Sequence, residues 1–225
     1  MSELKLVVFD CDGTLVDSQH AIFQSMSVAF AKYGLPDLGR DAVRRIVGLP
    51  LSDGVSVLAP EANTELVESL RLAYSDEWQK MRATGRLEEP LYPGTLEAIS
   101  GLENAGWLLG VATGKSYRGL EATLSHYGIL GKFVTLQTSD KVMNGKPHPD
   151  MMIAALNEAG VDKSNAVMIG DTTFDIDMAV NAGVRAIGVS WGYHDASELI
   201  ASGAQCVINE FNELHSALSR LGRMK

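Results

Sequence analysis

The chain has 225 residues, 46% of them hydrophobic and 21% charged, and a formal net charge of −9. That length holds one full domain plus an insert, or two modest domains. The acidic balance lacks the basic stripe of a nucleic-acid binder, no apolar run reaches the roughly 18 residues of a transmembrane helix, and the distant Cys11 and Cys206 form neither a disulfide framework nor a metal spacing. A cytoplasmic protein without nucleic-acid or membrane partners is expected, its oligomeric state left open.

Leu4–Phe9 is short, apolar and rich in valine, and predicts a buried strand. Gln19–Tyr33 follows with Ile22, Met26, Phe30 and Tyr33 at helical spacing. Thr64–Arg82 carries Leu66, Leu70, Tyr74, Trp78 and Met81 in the same way, and no strand signal lies between the two. The return segment RLEEPLYPGT holds Pro90, Pro93 and Gly94, which suits a hinge. Beyond it, Thr95–Ala105 and Pro149–Ala159 predict helices that stop at Gly106 and Gly160. Trp107–Thr113, Phe133–Thr138, Ala166–Gly170, Ala186–Ser190 and Gln205–Ile208 predict strands. Alternating strand and helix argues for an α/β fold, a Rossmann-like parallel sheet covered on both faces. The core is expected from residues 1–17 and 88–225, with residues 18–87 forming a small all-helical cap domain inserted after the first strand.

Ligands of such sheets bind beyond the carboxyl ends of the strands, where Asp10, Thr113 and Asp171 fall. In VVFDCDGTLVDS, the strand-end carboxylate of Asp10 suits attack on phosphorus. Asp12 suits protonation of the leaving oxygen and activation of water. DCD alone reads equally as a strand followed by an acidic turn. In GDTTFDIDMA, Asp171 and Asp175 lie four apart and, on a helix start, face one side. With Asp10 they form a hard-oxygen cluster suited to Mg²⁺, which would offset their mutual repulsion. An N-capping acidic turn reads the same stretch equally well. In GVATGK, the Thr113 hydroxyl and the following N–H of Gly114 suit phosphate, and Lys146 in GKPHPD supplies a fixed positive charge. WGYH (191–194) reads as a site-lining loop or a plain one. VRRIVGLPL (43–51) reads as a solvated helix end or a substrate-facing loop.

DCDGTLVDS, VATGK, GKPHPD and IGDTTFDIDMA, in that order, resemble the four motifs of the haloacid dehalogenase-like hydrolases, and most closely the phosphoglycolate phosphatase-like and pyrophosphatase-like branch with a helical cap. The resemblance implies Asp10 as nucleophile and Mg²⁺ ligand. It implies Asp12 as general acid/base that also ligates through its backbone carbonyl, Thr113 and Lys146 as phosphate holders, Asp171 as a ligand and Asp175 as its support. Asp12 favours phosphate esters over halides, since the dehalogenases lack that aspartate. Ile22 stands where the hexose phosphomutase relatives carry a cap histidine. The expectation is a Mg²⁺-dependent phosphatase of a small phosphorylated metabolite. Phosphoglycolate is the first substrate considered and inorganic pyrophosphate the next, with Arg45 (or Arg44) reading an anionic leaving group. A phosphomutase and a non-catalytic phosphoaspartate switch are the alternatives.

Overall fold

The computed structural model describes residues 4–222. Six strands, β1 (Lys5–Phe9), β2 (Trp107–Thr113), β3 (Thr135–Thr138), β4 (Ala166–Gly170), β5 (Arg185–Val189) and β6 (Cys206–Ile208), form one sheet. All neighbours are parallel, in the order β3-β2-β1-β4-β5-β6. Successive side chains of β1 point to opposite faces. Val7 and Phe9 pack with Ile99, Leu120 and Leu124 on one side. Leu6 and Val8 pack with Met151, Met152 and Ile176 on the other. Burial on both faces is why these strands read as unbroken apolar runs.

The helices of the first face are α5 (Thr95–Asn104), α6 (Tyr117–His126) and α10 (Leu214–Leu221); those of the second are α7 (Asp150–Ala159), α8 (Thr173–Ala182) and α9 (Ala196–Ser202). Gly160 ends α7 with φ +65°, the left-handed cap that only glycine adopts freely.

Between β1 and α5 lie only helices: α1 (Gln19–Lys32), α2 (Arg40–Arg44), α3 (Leu51–Leu58) and α4 (Thr64–Ala83). They bury Met26, Phe30, Val55, Leu70 and Met81 against one another, in a separate apolar cluster that Tyr193 of the core joins. The outgoing and returning connections run side by side. The Asp17 N–H donates to the Pro90 carbonyl (2.8 Å), and the Tyr92 N–H donates to the Leu15 carbonyl (3.0 Å). Among the described residues no helix is long and apolar enough to cross a membrane.

Candidate active site

β1 and β4 are neighbours at the centre of the sheet, where the strand order reverses. Asp10 and Asp171 therefore emerge side by side at the crevice where such sheets bind ligands. The Asp10 N–H donates to the Ile169 carbonyl (2.9 Å), extending the pairing one residue past the strand. The chain then turns sharply, with the N–H groups of Leu15 and Val16 both donating to the Cys11 carbonyl (2.9 and 3.0 Å). Gly13 is needed in that turn. Its φ is +85°, and a Cβ there would lie 2.2 Å from Asp171 Oδ2.

Asp10, Asp171 and Asp175 each offer an oxygen within 4.8 Å of the others, and all three are buried. The Asp171 carboxylate is aimed by the Thr14 hydroxyl donating to Oδ1 (2.7 Å) and the Tyr193 N–H donating to Oδ2 (2.9 Å). Asp175 closes a capping box at the start of α8. Its Oδ2 accepts from the Thr172 N–H and hydroxyl, and its Oδ1 accepts from Lys146 Nζ (2.5 Å). The same ammonium lies 2.9 Å from Asp10 Oδ1 in a buried ion pair.

One ammonium faces three buried carboxylates. Burial pushes the Asp10 carboxyl up to about 7. Lys146 pulls against that shift, and the charges of Asp175 and Asp12 add to it. The Asp171 carboxyl is also raised well above the usual range, by burial first and then by Asp175 and Asp10. Burial works against the charge on Lys146, yet Asp10 and Asp175 hold its pKa above the ordinary lysine value. An all-carboxylate set with one ammonium for three buried carboxylates fits a hard divalent cation such as Mg²⁺. Asp10 and Asp171 keep the most acceptor capacity for it, since Asp175 already takes three donors.

Asp12 belongs to a second network. Its Oδ1 accepts from the Ser18 hydroxyl and from Lys115 Nζ (2.5 Å). Lys115 continues to Glu89 Oε1 (2.8 Å), and Glu89 also accepts from Arg82 of α4 (2.9 Å). The Tyr193 hydroxyl lies 3.3 Å from Ser18 Oγ. Burial opposes the charge on Lys115, but Asp12 and Glu89 hold its pKa above the usual value. This network ties Asp12 to the return connection and to the helical insert.

A cavity of about 460 Å³ opens onto Asp10, Asp12, Thr113 and Gly114, walled on the far side by α1, α3 and α4. The Gly48-Leu49-Pro50 turn of the insert seats against the core. A Cβ on Gly114 would lie 2.7 Å from the Leu49 carbonyl oxygen, and one on Gly145 would lie 2.2 Å from Pro50 Cγ.

The structure thus brings Asp10, Asp12, Thr113, Gly114, Lys146, Asp171 and Asp175 to one sheet end. Arg45 is placed elsewhere, away from the cavity in which it was expected to read an anionic leaving group. It is absent from the cavity wall and holds Glu198 of α9 through two bonds from Nη1 (2.7 and 2.8 Å). Arg44 turns to the Gly192 carbonyl (3.1 Å). The WGYH loop supports the site: Gly192 passes against Asp171, where a Cβ would lie 2.2 Å away, and Tyr193 donates to it. Sequence reasoning passed over Lys115, Ser18 and Glu89. Lys115 had a signal, its place two residues after Thr113 at the same strand end; Glu89 had none to separate it from exposed Glu88.

Residues 7–189 match the family model described as haloacid dehalogenase-like hydrolase. The chain is 34% identical over 217 residues to a probable phosphatase, IndB, of Dickeya dadantii, covering 96% of this chain and 94% of that protein. It is 31% identical over 224 residues to the N-acetylmuramic acid 6-phosphate phosphatase of Pseudomonas aeruginosa, covering 96% of each. Other relatives bear the names phosphoglycolate phosphatase and pyrophosphatase. A crystal structure of a predicted phosphatase from Clostridium acetobutylicum superposes with a TM-score of 0.86 at 27% identity, over 97% of this chain and all of that one. The chain belongs to the haloacid dehalogenase-like hydrolase family.

Proposed function

We propose that this protein is a Mg²⁺-dependent phosphatase of small phosphorylated metabolites that works through a phosphoaspartate on Asp10. The observation that carries the reading is the pair Asp10 and Asp12 at the end of β1, facing a cavity and flanked by Lys146, Asp171 and Asp175. Thr113, the Gly114 N–H and Lys146 hold the phosphoryl oxygens. The Asp10 carboxylate attacks phosphorus, the bond to the leaving oxygen breaks, and Asp12 gives that oxygen a proton. Asp12 then takes a proton from water as the water attacks phosphorus, and the bond to Asp10 breaks to release phosphate. Asp10, Asp171 and the Asp12 backbone carbonyl would hold Mg²⁺, with Asp175 in support. When bound, the cation supplies charge stabilisation for the phosphoryl group.

Residues 18–87 serve as a cap on a core of residues 1–17 and 88–225, hinged at the paired connections. Phosphoglycolate rested on the resemblance and on Arg45 reading its carboxylate, and that guanidinium is engaged by Glu198. Ile22 lines the cavity and has no proton to exchange, which disfavours a phosphomutase. A non-catalytic switch leaves both Asp12 and the cavity without a purpose.

Phosphate release from para-nitrophenyl phosphate tests the reading. Activity is expected with Mg²⁺, lost to a chelator and restored by Mg²⁺; Ca²⁺ is expected to inhibit, because its looser coordination suits in-line transfer poorly. No release under any metal would favour the switch. Cap seating has its own test. Gly145→Ala places a methyl against the Pro50 ring, and kcat/KM is expected to fall by about 10²-fold, the scale of an ångström-sized misplacement. An unchanged value would show that the turn need not seat for turnover.

A further inference from the structure

We infer that the leaving group is an uncharged, polyhydroxylated ring, as in a hexose or amino-hexose monophosphate, read by Tyr74, Gln79 and Ser52 of the helical insert. This rests on the phosphatase reading above and narrows it.

Size comes first. The cavity of about 460 Å³ falls within the roughly 300–1,000 Å³ of small-molecule sites. A two-carbon acid or a second phosphate would leave most of it to water. Much of its far wall is apolar, although α4 also brings Arg71 and Arg82 to it. Ile22, Met26, Leu49 and Trp78 line it, and Tyr74 stacks on Trp78 with centroids 5.8 Å apart. Such a surface accepts the C–H face of a ring.

The charges are already matched. Four cations line the cavity, and three of them are engaged. Lys115 holds Asp12 and Glu89, Arg82 holds Glu89, and Arg71 holds Glu68 through two bonds (2.7 and 2.6 Å). A carboxylate or phosphate on the leaving group would meet cations whose charge is already offset by these carboxylates, with Asp10 and Asp12 facing it from the floor. Arg118, on α6, has no partner among the described residues but is exposed, where solvent and salt screen its charge. It draws anions toward the mouth without selecting among them.

The free polar groups are neutral. The Tyr74 hydroxyl, the Gln79 amide and the Ser52 hydroxyl line the cavity, and none makes a side-chain hydrogen bond among the described residues. Each both donates and accepts, the complement of sugar hydroxyl and acetamido groups. Tyr74 and Ser52 are half-buried and Gln79 is exposed, so a substrate that pairs them is favoured over one that leaves them to water.

The test compares kcat/KM of the full-length protein with Mg²⁺ on five classes of compound. These are hexose 6-phosphates, hexose 1-phosphates, N-acetylhexosamine phosphates, phosphoglycolate and pyrophosphate, with acetyl phosphate as the minimal phosphoryl donor. At least one sugar phosphate is expected to exceed both phosphoglycolate and pyrophosphate by about tenfold or more. Tyr74→Phe and Gln79→Leu are each expected to lower the ratio of sugar phosphate to acetyl phosphate kcat/KM by about tenfold, the order of one lost hydrogen bond, chiefly through KM. Faster turnover of phosphoglycolate or pyrophosphate than of every sugar phosphate, with acetyl phosphate still hydrolysed, would overturn the inference and leave the phosphatase standing. So would an unchanged ratio in both variants. If acetyl phosphate and every other compound are inert, the phosphatase reading fails and the inference falls with it.

Discussion

Asp10→Asn is expected to lower kcat by about 10⁴-fold or more, the scale on which removing a nucleophile collapses a catalytic unit. The amide is a poor nucleophile at phosphorus and a weaker ligand for a divalent cation. The loss should not come from unfolding. Asp10 is 1% exposed among like charges, and burial already pushes its carboxyl up to about 7. Replacing it by a neutral group of the same shape relieves repulsion with Asp171 and Asp175, and Lys146 keeps Asp175 as its partner. The metal-free variant is therefore expected to melt no lower than the parent. Functional sites commonly trade stability in this way. Single-turnover phosphate release and a thermal melt in chelator check both parts. Turnover within tenfold of the parent would assign the attack to another residue.

Lys146→Met is expected to destabilise the metal-free protein by about 3–5 kcal/mol, the effect of removing one partner from a buried ion pair. The ammonium is fully buried between Asp10 and Asp175, and methionine fills similar space without charge. The sign of the pH dependence follows from the carboxylates left behind. Asp10 sits at about 7 although Lys146 lowers it, so without Lys146 it rises further. A carboxyl raised in the folded state contributes stability at low pH and loses it as pH climbs through the folded value. The penalty should therefore be smaller near pH 5 than near pH 8, and Mg²⁺ should reduce it by replacing the missing charge. Urea midpoints at the two pH values, with chelator and with Mg²⁺, decide the matter. Equal penalties under all four conditions would mean that Lys146 acts by packing rather than by charge.

Much of this architecture was legible along the chain. Each central strand is buried on both faces, so its apolar run stands out without any partner in view. The helical insert announced itself by two long stretches of helical period. The five-residue α2 and eight-residue α3 did not, because so few turns carry no resolvable period. Asp10 and Asp171 could be placed together from the sequence because each follows a strand directly, and a strand end is a local feature; Lys146 reaches them from the loop between β3 and α7. The direction of a surface guanidinium is not local. Successive residues of a helix point about 100° apart, so Arg44 and Arg45 leave α2 in different directions. Which one meets Gly192 and which meets Glu198 depends on how the insert lies against α9, more than 140 positions away. The same holds for Lys115, which turns to Asp12 because the return connection brings Glu89 beside it. Local chemistry determined what the site is made of. Only the tertiary structure decided which charges are already paired, because an ion pair is a matter of distance in space and the chain encodes only distance along itself.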